Sequence, residues 1–144
     1  MVDLLSMKTK KQRIVKMELK YFPWDRMTWA LDENGYPYLP QSVVPVAEGL
    51  LLLENDTPVS YLAYNVWINS GYVEIHYAHT SPACQNVGCS SRLMSELSEK
   101  YGEEYDFHLY ETSGVSHRSL KRWGFEKVEP GQTLWIRKKA NRPS

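Results

Sequence analysis

The densest chemistry in this chain lies in Gln85–Asn86–Val87–Gly88–Cys89–Ser90, between a strand pattern and a helix pattern. A loop so placed offers backbone N–H groups at a helix start, where the aligned peptide dipoles favour an anion such as phosphate. Gly88 permits a close approach of backbone to ligand that a Cβ would obstruct; one glycine ahead of a helix is also what a plain tight turn requires. Upstream, Glu74 and His76 stand two positions apart in a strand pattern, and share a face if the pairing is regular. An imidazole with an unperturbed pKa of about 6.5 is suited to relaying protons near neutrality, or is simply structural. His76, His79, Cys84 and Cys89 carry the donor atoms of a tetrahedral zinc site. Their spacing argues against it, because an odd separation of 76 and 79 sends the two imidazoles to opposite faces of a regular strand, and no metal is expected. Cys89 at a helix start has the setting of a stabilised thiolate, but no His/Asn arrangement accompanies it, and the expected role is a small packed residue.

The elements that would position these residues follow from periodicity. Ile14–Phe22 alternates as a first strand, and Trp24–Leu31 reads as a short helix with Trp24, Met27 and Leu31 on one face. Asn34–Gly35 and the prolines at 37, 40 and 45 mark a loop-rich stretch. Leu50–Leu53, Val59–Asn69 and Tyr72–Thr80 read as three strands joined by short turns at Asn55–Pro58 and Ser70–Gly71, an antiparallel meander. After Pro82 the period becomes helical. Leu93, Met94, Leu97 and Tyr101 share a face, Arg92, Glu96 and Lys100 stand at i,i+4 spacing as charge pairs, and Gly102 stops the helix. Asp106–Tyr110 reads as a strand, Ser116–Trp123 as a helix closed by Gly124, and Phe125–Val128 and Thr133–Lys138 as strands around a Pro-Gly turn. The whole is a mixed α/β layer architecture.

The bulk properties narrow the function classes. A chain of 144 residues fits a single domain, with residues 1–12 a basic, mobile terminus. Seventeen basic residues balance seventeen acidic ones, so no overall field favours nucleic acid or an anionic membrane. No apolar run approaches the roughly 20 residues of a membrane span, no secretory signal is evident, and two cysteines are too few for a disulfide framework. A reducing cytoplasm is the expected setting.

Two segments resemble the signatures of the Gcn5-related N-acetyltransferase superfamily. Gln85 to Ser90 is similar to its Gln/Arg-x-x-Gly-x-Gly/Ala clasp for the pyrophosphate of coenzyme A, with Pro82 where members often carry proline. Ser116–Phe125, ending Trp123–Gly124–Phe125, is similar to the second signature, a helix closing in Gly-Phe before the final strands. The resemblance runs from about Glu48 to Lys138 and implies an acyl-CoA N-acyltransferase fold, a central, mostly antiparallel sheet of about six to seven strands with about three to four helices. It implies acetyl-coenzyme A as cofactor, its pyrophosphate on the amides of Gln85, Asn86, Val87, Gly88, Cys89 and Ser90. Its pantetheine arm would lie along the backbone of Tyr77, Ala78, His79 and Thr80, where the family splays two strands. Ser90 departs from the Gly or Ala of the motif.

By the same resemblance Glu74, eleven positions before Gln85, is the general base, with His76 to relay or replace it. The family's first helical region shapes the acceptor site, so Asp25, Asp32 and Glu33, with nearby aromatics, would attract a cationic amine on a small molecule, peptide or protein. Strand-mediated homodimers are common in the family. The tyrosine that usually protonates the departing thiolate has no counterpart: Leu120 stands four residues before Gly124, Ser113 replaces the usual upstream asparagine, and water, Tyr110 or His117 remain as substitutes. Ser116–His117 and Leu120–Lys121 also loosely resemble small bacteriophage proteins of this fold, which implies the alternative of a non-catalytic interaction or structural protein.

Overall fold

A two-residue reversal at Asn55–Asp56, both with positive φ of 49° and 68°, sets the register of the sheet. Such a reversal matches the right-handed twist of the strands that it joins, and asparagine and aspartate are the side chains that tolerate it best. In the computed structural model, which describes residues 16–33, 35–36, 47–82, 88–111 and 115–140, this turn joins β2 (Glu48–Glu54) to β3 (Thr57–Trp67). β1 (Met17–Pro23) pairs antiparallel with β2, and β4 (Tyr72–Thr80) antiparallel with β3. β5 (Asp106–Tyr110) runs parallel to β4, and β7 (Leu134–Arg137) and β6 (Glu126–Lys127) complete the order β1-β2-β3-β4-β5-β7-β6. The parallel step is the crossover, and it carries α2 (Cys89–Tyr101). The other helices are α1 (Trp24–Glu33) and α3 (His117–Arg122). This seven-stranded, mostly antiparallel sheet with three helices among the described residues is the architecture expected from the sequence.

The sheet is buried on both faces. Leu50 and Leu52 point to the α2 side with Leu62, Tyr64, Val73, Ile75, Leu93, Met94 and Leu97, while Leu51 and Leu53 point to the α1 side with Tyr61, Ala63, Met27 and Leu31. This is why β2 reads as an unbroken apolar run rather than an alternation. Each such leucine removed from water contributes about 1.5–3 kcal/mol. Gly49 is the exception that lets α1 dock: a Cβ there would run into the side chain of Met27. The i,i+4 pairs expected along α2 give way to tertiary contacts. Glu96 accepts a hydrogen bond from the Tyr21 hydroxyl of β1 at 2.7 Å, and the Lys100 ammonium lies 3.9 Å over the Tyr21 ring. No helix among the described residues is long and apolar enough to cross a membrane. The basic terminus, residues 1–12, lies outside the described residues.

Candidate active site

The register of β3 against β4 shifts between Ala63 and Tyr64, so that Ala63 faces Tyr77, Tyr64 faces Ile75, and His76 is the extra residue of a β-bulge. On the other edge β5 pairs with β4 only from Tyr72 to Ile75. The strands therefore part where the bulge begins, and among the described residues the edge of β4 beyond Ile75 has no strand partner on the β5 side. Alternate peptide groups along a strand point to each edge, so this stretch turns N–H and C=O groups toward the gap.

The bulge also resets which side chains share a face. Val73 and Ile75 face α2, and so does Ala78, whereas Tyr77 packs on the α1 side, with ring centroids 6.0 Å from Tyr61. His79 stacks on Tyr61 at 6.0 Å, and its Nδ1 lies 2.7 Å from the Tyr36 hydroxyl. His76 joins that same face, because its ring reaches Asn65 and Glu74. The parity argument that put His76 and His79 on opposite faces is thus corrected: the extra residue absorbs the odd count. No three His, Cys, Asp or Glu side chains group as metal ligands among the described residues.

Four side chains of β3 and β4 interlock here. Glu74 Oε1 accepts from Trp67 Nε1 at 2.9 Å, its Oε2 lies 3.6 Å from His76 Nδ1, and His76 Nε2 lies 2.6 Å from Asn65 Oδ1. The Glu74 and His76 side chains retain 22% and 11% of their exposure, so a small group can still reach them, while Asn65 is buried. Burial pushes the His76 pKa below the usual imidazole value, against the opposing pull of Glu74, and burial lowers His79 likewise. Both rings are therefore neutral near pH 7 and able to accept a proton. Sequence reasoning paired Glu74 with His76 but did not find Asn65, which reads as an ordinary strand residue, and counted Trp67 only among the core and rim aromatics, some of which could line an acceptor pocket.

A cleft of about 480 Å³ opens along β4 beyond its pairing with β5. Its walls are Ala78, His79 and Thr80, the start of α2 from Gly88 to Ser91, and the α3 side with Ser116, Arg118, Ser119, Arg122 and Trp123. Gly88 caps α2 in the left-handed region at φ 84°, with no side-chain cap, and a Cβ on it would meet nothing within 4 Å among the described residues. The glycine is thus required by the backbone and leaves the mouth of the cleft open. The first intrahelical bond runs from Arg92 N–H to Gly88 C=O, so the amides of Cys89, Ser90 and Ser91 have no acceptor within the helix. Cys89 itself is buried in the core, as expected of a packed residue. Thr80 bonds Ser60 through their hydroxyls at 2.8 Å.

Arg118 and Arg122, four apart on α3, face the cleft together, and no carboxylate lines it among the described residues. The two walls are tied by Trp123 Nε1, which donates to Ser91 Oγ at 3.0 Å. In a chain of balanced charge this is a local excess of two cations at a helix start, a setting for a multiply charged anion. The arginines were legible only as part of a helix, since nothing in their spacing says which neighbour they face.

Other expected residues fall elsewhere. Gln85, Asn86, Val87 and Cys84 lie outside the described residues, as does Ser113. Asp25, Asp32 and Glu33 are exposed on α1, whose buried residues Met27 and Leu31 pack on the sheet. Leu120 is fully buried in the core. His117 is held by Glu111 Oε2 at 3.1 Å, an atom that also accepts from Trp135 Nε1 at 2.8 Å and Lys127 Nζ at 3.2 Å, and Tyr110 is exposed.

No protein-family model matches the chain, and no curated protein matches its sequence. Solved structures do. Arabidopsis thaliana Naa50 in complex with the bisubstrate analogue CoA-Ac-MVNAL superposes with a TM-score of 0.62 at 14% identity, over 83% of this chain and 95% of that one. Escherichia coli ElaA gives 0.60 at 16% identity over 85% and 100%. Escherichia coli YhhK bound to coenzyme A gives 0.60 at 14% identity over 85% and 98%.

Proposed function

From the Gcn5-related N-acetyltransferase fold, which this chain has, we propose that the protein transfers the acetyl group of acetyl-coenzyme A directly to a primary amine of a small molecule, peptide or protein. The observation that carries this reading is the coincidence, on one strand, of the bulge at His76, the parting of β4 from β5, and the arginine-lined cleft beyond it. The cofactor supplies a thioester whose carbonyl carbon is open to attack by a neutral amine. The residues present fit it. The amides at the start of α2 and the guanidinium groups of Arg118 and Arg122 would hold its phosphates, with Gln85, Asn86 and Val87 completing the clasp. The backbone of Tyr77, Ala78, His79 and Thr80, beyond the stretch of β4 that β5 pairs with, would hydrogen-bond the pantetheine amides. Ser90, at the cleft wall where the motif has Gly or Ala, adds a hydroxyl donor.

Glu74 and His76 would take the proton of an incoming ammonium, which leaves the nitrogen lone pair free. Asp25, Asp32 and Glu33 would draw a cationic acceptor towards α1. The departing sulfur gains its proton from the amine or from water, because Leu120, at the position of the usual tyrosine, is sealed in the core. That same leucine favours a second reading, a scaffold that binds without catalysing.

Calorimetric titration with acetyl-coenzyme A, followed by an amine screen with thiol release as readout, separates the two. Micromolar binding and turnover that collapses in Glu74→Gln support transfer. Binding with no turnover for any amine supports the second reading, and no binding sinks the enzyme.

A further inference from the structure

The contact between Asn65 and His76 is required neither by the fold nor by the cleft. Asn65 and Ser60 are the buried polar side chains among the described residues, and Ser60 is occupied by Thr80 Oγ1 and the His79 carbonyl. A buried amide in a strand costs stability unless it is bonded, and a valine there would serve the sheet better. Asn65 stands opposite Glu74 in the register, on the face that Glu74 and His76 share, and its Oδ1 meets His76 Nε2 at 2.6 Å. An oxygen so placed accepts, so Nε2 carries the ring proton and Nδ1 presents its lone pair on the side of Glu74 Oε2, 3.6 Å away. Trp67 fixes the other carboxylate oxygen.

We infer that Asn65 is a positioning residue that locks His76 in the Nε2–H tautomer, making Nδ1 the proton acceptor of the site and Glu74 the carboxylate that stabilises the imidazolium formed. The inference rests on the acetyl-transfer reading and assigns its proton. The acceptor ammonium gives one proton to Nδ1, and its nitrogen bonds to the acetyl carbon as the carbon–sulfur bond breaks. The second nitrogen proton goes to sulfur, and His76 returns the first to solvent. Around His76 on this face lie Glu74, Tyr77 and His79 of its own strand, Tyr61 of β3, and His108 and Asp106 of β5. The charged residues of α1, Asp25, Arg26, Asp32 and Glu33, are exposed. Burial keeps His76 neutral, hence competent, at physiological pH.

Nitrogen-15 long-range correlation spectra of the histidine-labelled protein read the tautomer without any cofactor. The wild type is expected to show Nε2–H at His76. Asn65→Leu should lose this signature and lower kcat about 100-fold with acetyl-coenzyme A affinity unchanged. Asn65→Asp, which keeps the acceptor and adds charge, should retain the tautomer and move the acidic limb of the kcat/KM profile to higher pH. An Nδ1–H signal in the wild type, or an unaltered tautomer and pH profile in both variants, overturns the inference. The expected tautomer in a protein that acetylates no amine would establish the positioning and overturn the transfer reading instead.

Discussion

Gly88 allows the structural and the binding contributions of one position to be separated. It adopts φ 84°, a conformation that costs an L-residue roughly 1–2 kcal/mol. An added Cβ would meet no heavy atom of the described residues within 4 Å, so they add no steric cost. Gly88→Ala and Gly88→Trp should therefore lose about the same stability. For a domain of this size that is roughly 3–8 °C in Tm, read by differential scanning fluorimetry. Their ligand affinities should part. Alanine leaves the mouth of the cleft open and should weaken acetyl-coenzyme A by less than about fivefold. An indole placed beside the amides of Cys89, Ser90 and Ser91 would occupy the proposed phosphate position, and should weaken it at least about 100-fold, equivalent to about 2.7 kcal/mol. Titration calorimetry at matched temperature decides. Equal affinities for the two variants would refute the placement of the phosphates at this helix start, and a much larger Tm loss for tryptophan would refute the claim that the space is open.

Replacing Arg118 and Arg122 together by alanine should raise the acetyl-coenzyme A Kd about 10- to 100-fold at low salt, with the gap to wild type narrowing at 0.5 M salt (about 4 Å of screening length). Calorimetry in the two buffers tests this, and a salt-independent gap would count against a direct phosphate contact. Glu111 has its carboxyl held below the usual range, chiefly by the Trp135 N–H and then by Lys127 and His117. The stability that it contributes is fully present above the ordinary carboxyl value of 4.5 and is lost as pH falls through the lower folded value. Urea melts between pH 3 and 7 (roughly the range over which carboxylates titrate) should show a shallower acid slope for Glu111→Gln. Leu120→Ala should cost about 2–5 kcal/mol from the cavity that it leaves, seen as a lower urea midpoint with unchanged slope. Stability near wild type would show that the side chain is not in the core.

The local elements were legible because their signals are local. Asn55–Pro58 between apolar runs marks a turn, although the strand already resumes at Thr57, β4 was bounded correctly at Tyr72 and Thr80 by its turn and by Pro82, and Leu93, Met94 and Leu97 fall on one helical face whatever they pack against. The helix was expected after the loop Gln85–Ser90, and α2 begins inside that stretch, at Cys89 behind the Gly88 cap. The faces within β4 were not legible. Strand parity counts residues, and a bulge adds one without leaving a mark in the sequence, so His76 and His79 came to share a face against the count. Arg92, Glu96 and Lys100 showed the converse, since their ideal spacing lost to Tyr21, a partner 75 positions from Glu96 in sequence.

What the sequence determined by itself was therefore the set of elements and their order, because periodicity and turn chemistry act within a few residues. Tertiary structure decided which edge of β4 stays open, which arginines face the cleft, and which side chains hold Glu74 and His76. Those choices depend on strand register and on contacts between segments far apart in the chain, where one inserted residue reverses every orientation that follows.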